Sequence, residues 1–181
     1  ETDKEGRVEI ITDKEKYNTG DKAKILFTTP FNGKMLVTLE RNGVEHCEYV
    51  NVENRSAELI LPIEDKYLPN IYVSATLFKK HSIDKSTPFF VAHGYTSLNV
   101  EKASNKINVE IVSPNLIKPN TTAKISVKTG VANSYITLSA VDEGILQLYN
   151  FKTPDPYKYF YSKKALKTQS YDLYKYLLPE I

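Results

Sequence analysis

Three strand-like segments recur at an interval of about 100 residues, and this repeat most constrains the fold of the chain. The offset between the copies is 101, then 100, then 99 residues, so the register slips by one residue twice, each time within a loop. Two copies of one unit explain the pattern better than chance does. The matching pairs are residues 8–11 (VEII) with 109–112 (VEIV), 23–25 (AKI) with 123–125 (AKI), and 37–39 (VTL) with 136–138 (ITL).

The first copy reads as a series of short strands. Apolar residues alternate or cluster over short runs, and turn residues such as Gly20 and Pro69 lie between the runs. About seven strands at this spacing predict an all-β protein, with an immunoglobulin-like or fibronectin-III-like sandwich. The predicted strands are residues 7–12, 22–27, 35–40, 57–61, 71–78, 89–91 and 97–100.

One predicted hairpin has a specific turn signal. Residues 44–50 also read as a strand, and Asn42-Gly43 stands between them and the preceding run. Because both residue types tolerate positive φ, this dipeptide predicts a type I′ turn.

The second copy is shorter than the first and changes character near its end. A polar run over residues 101–106 marks the boundary, which predicts domains at residues 1–103 and 104–181. After Leu148, a Thr153-Pro154 start predicts a short helix over 157–166, and a second helix is predicted over 171–178. We therefore expect the second sandwich to be truncated and to leave an open strand edge.

Composition excludes several function classes. With 24 Lys+Arg against 22 Asp+Glu the net charge is +2, too small to favour nucleic-acid or membrane binding. The seven glycines are never closer than ten residues, so a P-loop, a dinucleotide-binding fingerprint and a nucleophile elbow are all absent. The charged start of the chain contains no signal peptide and suggests a mature or excised piece.

Metal and nucleophile chemistry are equally unsupported. The single cysteine, Cys47, allows no internal disulfide, and its neighbour His46 points to the opposite face of a predicted strand. No carboxylate pair stands out by spacing. We therefore predict no catalytic, cofactor-binding or metal-binding residues, no cofactor, and no enzyme activity.

Tyrosines concentrate towards the end of the chain. Seven of the thirteen lie between Tyr149 and Tyr176, mixed with lysines. They form either a stacking surface for nucleic acid or sugar, or amphipathic helices that lay their rings on a sandwich. The small net charge favours the second interpretation.

The most distinctive motif runs from Ala140 to Pro156 and contains VDEGIL and KTPDP. Together with YDLY at residues 171–174 and YLPN at residues 67–70, it closely resembles the bacterial α2-macroglobulin family, in which this series lies just upstream of the bait region. The resemblance covers nearly the whole chain. Small departures, such as Thr19, Pro119-Asn120 and Lys164, affect turn geometry only.

The resemblance implies two consecutive macroglobulin domains of a longer protein, a broad-spectrum protease inhibitor. In that family a protease cuts an exposed bait segment, and the molecule rearranges and encloses it. The thioester motif of many members is missing, since Glu48-Tyr49-Val50 follows Cys47, and the bait would begin near Ile181. This piece would thus be scaffold, with neighbouring macroglobulin domains and target proteases as partners.

The resemblance also implies export to the periplasm or cell envelope, where members of the family are often anchored as lipoproteins. The alternative is a tandem immunoglobulin-like binding module of an adhesin or glycan-utilisation protein, because sandwiches host many functions. A ligand pocket lined by exposed aromatic rings would favour that alternative. Within the motif, we expect Asp142 to bond nearby backbone amides and Gly144 to allow a bend, rather than to form a binding site.

Overall fold

The computed structural model describes residues 6–79 and 91–171. These residues are mostly β, with ten strands in three sheets and two short helices near the C-terminal end. The chain forms two compact units, one of residues up to Lys102 together with those from Tyr161 onward, the other of Ala103–Phe160. The predicted all-β class with short helices is confirmed at this level, and the predicted domain limits remain a prediction.

The strands of the first unit match most of the predicted runs. The predicted run 89–91 lies outside the described residues except for Val91, where the last strand of this unit begins. The strands are β1 (Glu9–Thr12), β2 (Lys16–Asn18), β3 (Lys22–Thr28), β4 (Gly33–Glu40), β5 (Val44–Val52), β6 (Ser56–Pro62), β7 (Asn70–Lys79) and β8 (Val91–Glu101).

Two sheets make up the first unit. One has three strands in the order β1-β3-β6, and the other has five in the order β2-β8-β7-β4-β5. All pairs are antiparallel except β2 with β8. The chain therefore crosses repeatedly between the sheets, as in a β-sandwich.

Alternation of inward-facing residues, clearest in β3 and β7, contributes to a single core between these sheets. In β3 every second residue is buried, and in β7 the buried positions include Val73 and Leu77. Tyr17 and Tyr67 add two fully buried rings. Because each large side chain removed from water contributes roughly 1.5–3 kcal/mol, this cluster provides most of the stabilisation of the unit.

Gly94 permits the N-terminal segment to lie directly against β8. The backbone of Val8 donates to the carbonyl of His93 at 2.8 Å, and an added Cβ at Gly94 would stand 2.0 Å from the Val8 oxygen. A side chain at this position is sterically excluded, because it would overlap a backbone atom.

The hairpin between β4 and β5 is present, but its turn is not type I′. Within the described residues, positive φ occurs neither at Asn42 nor at Gly43. Arg41 N–H instead donates to the Gly43 carbonyl at 3.1 Å, and the register shifts between Leu39 and Glu40. A β-bulge thus replaces the tight two-residue turn.

The second unit repeats the first strand pairing of the first unit. Its strands β9 (Glu110–Val112) and β10 (Ser126–Lys128) are antiparallel, with Ile111 opposite Val127. Ile111 lies 101 residues after Ile10, and Val127 lies 100 residues after Phe27. Ile10 and Phe27 are also opposite each other, in β1 and β3. The two copies therefore share the register as well as the sequence pattern.

Burial differs sharply between the two units. No residue in 103–160 is fully buried, and apolar side chains such as Val109, Ile111 and Leu138 are about half exposed. The third repeated segment, residues 136–138, forms no strand. A two-stranded sheet is at best marginally stable alone, so this unit has the pattern of a sandwich without its core.

Of the two helices, the first is not among those predicted from the sequence, and the second is shorter than predicted. Helix α1 spans Glu143–Leu148, and α2 spans Pro156–Phe160 in place of the predicted 157–166. Asp155 rather than Thr153 caps α2, because its carboxylate accepts from Lys158 N–H at 2.9 Å. The helix predicted over 171–178 lies outside the described residues, apart from Tyr171.

Among the residues described, no helix has both the length and the apolar character needed to cross a bilayer.

Candidate functional site

The VDEGIL motif forms the start of α1. The Asp142 carboxylate accepts from Gly144 N–H at 2.9 Å and caps the helix. A Cβ at Gly144 would lie 3.0 Å from the same carboxylate oxygen, so glycine here allows the cap to approach closely. The expectation that Asp142 bonds local amides is confirmed, whereas Gly144 lies in the first helical turn instead of forming a bend.

His46 and Cys47 lie on β5 and point to opposite faces, as neighbouring strand residues do. His46 is paired in register with Leu39 and Cys47 with Thr38. Cys47 is an exposed free thiol. Across residues 6–79 and 91–171, His, Cys, Asp and Glu form no group of three or more that could hold a metal ion.

An open cleft of about 630 Å³ lies beside the β3–β4 turn. It contains one aromatic ring, Phe31, and two cationic side chains, Arg55 and Lys79. The Arg55 backbone N–H donates to the side-chain oxygen of Asn32 at 2.8 Å. The part of the cleft that these two residues line is therefore formed by turn residues bonded to each other. A single ring does not make the aromatic-lined pocket that a glycan-binding module would need.

The clustered tyrosines are not packed as expected. Tyr149, Tyr159 and Tyr171 are each more than three-quarters exposed, so the expectation that their rings lie on a sandwich is wrong for these three. Tyr157 instead has the Lys106 ammonium 4.4 Å from its ring centroid. Tyr174 and Tyr176 lie outside the described residues.

The densest polar arrangement surrounds Arg41, at the end of β4. Its guanidinium donates to the carbonyl oxygens of Leu68 at 2.6 Å, Asn70 at 2.9 Å and Lys66 at 3.1 Å. A fourth carbonyl, that of Tyr67, lies at 3.3 Å. One side chain thus fixes the whole turn that leads into β7, which a planar fork of donors can do and an ammonium cannot.

Asn70 connects this turn to a segment 94 residues later in the chain. Its side-chain Oδ1 accepts from Lys164 N–H at 2.8 Å, and its Nδ2 donates to the Lys164 carbonyl at 3.0 Å. The Tyr72 hydroxyl donates to that same carbonyl at 3.2 Å. Asn70 is fully buried, so its amide pairs with one backbone residue much as a neighbouring strand would.

A second contact holds the same segment three residues further on. Lys167 N–H donates to the Arg41 carbonyl at 2.7 Å, and the Lys163 ammonium lies 5.8 Å from the centroid of the Tyr72 ring. We call residues 163–168 the anchored segment, and Arg41, Asn70 and Tyr72 its platform. All of these residues belong to the first unit.

A further polar cluster lies at the corner joining β1, β2 and β3. The Asp13 carboxylate accepts from the Tyr17 hydroxyl at 2.7 Å and from Lys24 N–H at 2.8 Å, and these bonds lower the pKa of Asp13. Burial, together with the bond to Asp13, raises the pKa of Tyr17. Lys102 similarly lowers the pKa of Asp65 through an ion pair. These groups stabilise turns.

Sequence reasoning did not identify the platform as a unit. Asn70 belongs to the YLPN motif and Lys164 is a departure from the family pattern, and no local pattern relates two positions so far apart. The only available signal was the retention of arginine at position 41 in a chain whose other basic residues are almost all lysine, with Arg7 and Arg55 the exceptions.

Comparison with known proteins gives a consistent family match. A family model described as the α2-macroglobulin bait region domain matches residues 8–148. The α2-macroglobulin of Xylella fastidiosa (strain Temecula1) is 27% identical over 172 residues, which cover 93% of this chain and 10% of that protein. The chain therefore spans about one-tenth of the length of the curated relatives it matches.

Solved structures agree with this match. A crystal structure of Salmonella α2-macroglobulin reacted with methylamine is 25% identical, with a TM-score of 0.59, and covers 89% of this chain and 11% of that one. A crystal structure of trypsin-activated α2-macroglobulin from Escherichia coli is 22% identical, with a TM-score of 0.58, and covers 88% and 11% respectively. The second likeness concerns the fold alone.

Proposed function

Because this chain belongs to the α2-macroglobulin family, whose members are protease inhibitors and not enzymes, we propose that it is a scaffold fragment of a bacterial broad-spectrum protease trap. The observation that carries the proposal is the family-model match over residues 8–148, most of the chain. Membership also confirms the prediction that the chain is not an enzyme. In the proposed mechanism, a protease cuts a bait segment of the parent protein, and the parent changes conformation around it.

The fragment would comprise two tandem macroglobulin sandwiches, at residues 1–103 and 104–181. The two-sheet core of the first unit supports this division. The equivalent pairing of β9 with β10 supports descent of the second unit from the same ancestor. The half-exposed apolar residues of the second unit support a partial sandwich that strands elsewhere in the parent complete.

The bait segment would follow the region that the structure describes. The trapping step is what membership of this family, whose matching model is the bait region domain, implies for the parent protein. Partners of the fragment would be the neighbouring macroglobulin domains of the parent, and target proteases would be partners of the whole protein. We further propose that the parent is exported to the periplasm or cell envelope, where foreign proteases are met.

The test uses the full-length parent and several unrelated proteases. First cuts are mapped by intact mass, and solution scattering follows the shape of the protein. Early cuts within some tens of residues after Ile181, together with compaction, are the expected result. The control is each protease blocked at its active site, which should produce neither cuts nor compaction.

Scattered first cuts without compaction would contradict the proposal. That outcome would leave a tandem immunoglobulin-like module, an alternative that the cleft beside the β3–β4 turn, with Phe31 as its single aromatic ring, does not favour.

A further inference from the structure

The anchored segment is bound to the first unit through its backbone. Both the N–H and the carbonyl of Lys164 are engaged by side chains of β7, and Lys167 N–H is engaged by the end of β4. Lysine side chains in this stretch point outward and remain exposed at positions 163, 164 and 167. The contacts therefore fix the path of the chain whatever these side chains do.

The platform is also held in place by contacts that do not involve the anchored segment. The Arg41 guanidinium holds the carbonyls of Lys66, Leu68 and Asn70, and β7 pairs on both sides with β4 and β8. The buried Asn70 amide has its donor and its acceptor both used by Lys164. Releasing the segment would leave a buried amide unpaired, which costs free energy and favours the bound state.

Proteases cut extended backbone that is free to enter their active-site cleft. A peptide whose N–H and carbonyl groups are already paired must first open locally, and cleavage is slowed in proportion to the rarity of that opening. Trypsin cuts after lysine. The peptide bonds after Lys163 and Lys164 contain the Lys164 N–H and carbonyl, which are both paired, and Lys167 is held by its own N–H.

We propose that Asn70, assisted by Tyr72 and the Arg41 carbonyl, is a positioning residue that sets the upstream limit of the segment a protease can cut. Residues 163–168 are withheld from the protease, and the segment that it can cut begins beyond them. The function of the limit depends on the proposed trap, whereas the anchoring itself does not.

The first measurement is amide hydrogen exchange by NMR on the 181-residue chain. In the unaltered chain, the amides of Lys164 and Lys167 should be protected, unlike those of exposed loops. In Asn70→Ala, protection of Lys164 should fall at least about tenfold, because two hydrogen bonds are lost. Core amides of β3 and β7 should keep their protection in a folded variant.

Two further variants keep the test decisive. Tyr72→Phe removes one donor to the Lys164 carbonyl while keeping the ring, and should lower Lys164 protection about threefold even if Asn70→Ala folds poorly. Asn99→Ala is the matched control, since Asn99 stands opposite Asn70 in the β7–β8 register but its side chain bonds Glu15. Asn99→Ala should leave the exchange protection of the Lys164 amide unchanged. Rapid Lys164 exchange in the unaltered chain, or no response to either variant, would overturn the proposal.

The second measurement uses the full-length parent and trypsin. In the unaltered parent, the first cuts should not include Lys163, Lys164 or Lys167, whereas in Asn70→Ala these three should join the first cuts. If the parent has no bait, cuts after Ile181 will be missing, but the exchange result still stands. If anchoring fails, the three lysines will be cut early in both proteins while the bait is still detected.

Discussion

At the scale of single residues, Arg41 and Asn70 perform tasks that their nearest chemical relatives could not. Arg41 reaches several carbonyl oxygens of one turn with a rigid fork of donors. Asn70 offers a donor and an acceptor on one planar group, which matches the backbone of Lys164. Both roles come from geometry rather than from charge.

Gly94 is the residue whose replacement is easiest to predict. In Gly94→Ala the new Cβ would lie 2.0 Å from the Val8 oxygen, so the N-terminal segment must move away from β8 and lose its backbone bonds there. We expect the free energy of unfolding to fall by about 3 kcal/mol or more, measured by urea denaturation.

Gly43→Ala is the matched control for this variant. A Cβ at Gly43 meets no atom within 4 Å, and its φ is not positive, so we expect a change within about 0.5 kcal/mol. Equal stability of the two alanine variants would show that Val8 does not rest on β8.

At the scale of elements, strands could be predicted where one face is buried. Buried and exposed residues alternate along β3, and the sequence follows this alternation except at Leu26, an apolar residue on the exposed face. The β2 strand could not be predicted, because only Tyr17 of its three residues is buried and its parallel partner β8 is far along the chain. The second half of the helix predicted over 157–166 is not helical. The reason is that the backbone of Lys164 bonds the side chain of Asn70, and these bonds compete with helical ones. The platform was unpredictable for the same reason: its contacts are long-range.

The corner joining β1, β2 and β3 should make stability depend on acid pH. Bonds from Tyr17 and Lys24 hold the pKa of Asp13 below its ordinary 3.8 in the folded state. The unfolded chain therefore takes up this proton at higher pH than the folded chain does. The stabilisation is complete above the ordinary pKa and is lost as the pH falls through the lower, folded value.

Urea midpoints measured between pH 6 and pH 2 test this dependence. Asp13→Asn should flatten the acid side of the curve relative to the unaltered chain. Glu15→Gln, which removes an exposed carboxylate from the same corner, should leave the slope close to that of the unaltered chain. Identical slopes for the Asp13 variant and the unaltered chain would contradict the assignment of Asp13.

At the scale of the whole molecule, the two units differ in how much apolar surface they bury. The first has a continuous core that contains Phe27, Met35 and Leu77, whereas residues 103–160 contain no fully buried side chain. Opening free energies follow such burial, so the units should differ in their exchange behaviour.

We expect amides of β9 and β10 to exchange at least about a hundredfold faster than those of β3 and β7 in the isolated chain. The equivalent strands β1 and β3 are the internal comparison, because they have the same register. Hydrogen exchange followed by NMR, at a concentration where the chain is monomeric, measures the exchange rates in both units. Equal protection of the two units would show that the second already has a complete core.

The anchored segment makes the first unit discontinuous along the chain. The chain leaves that unit at Lys102 and rejoins it at Tyr161, so everything between is an insertion bounded on both sides by one folded body. A chain shortened to end at residue 103 would omit Lys164 and leave the Asn70 amide without the backbone it pairs with. The smallest piece that retains every bond of the first unit must therefore include residues from both sides of the insertion.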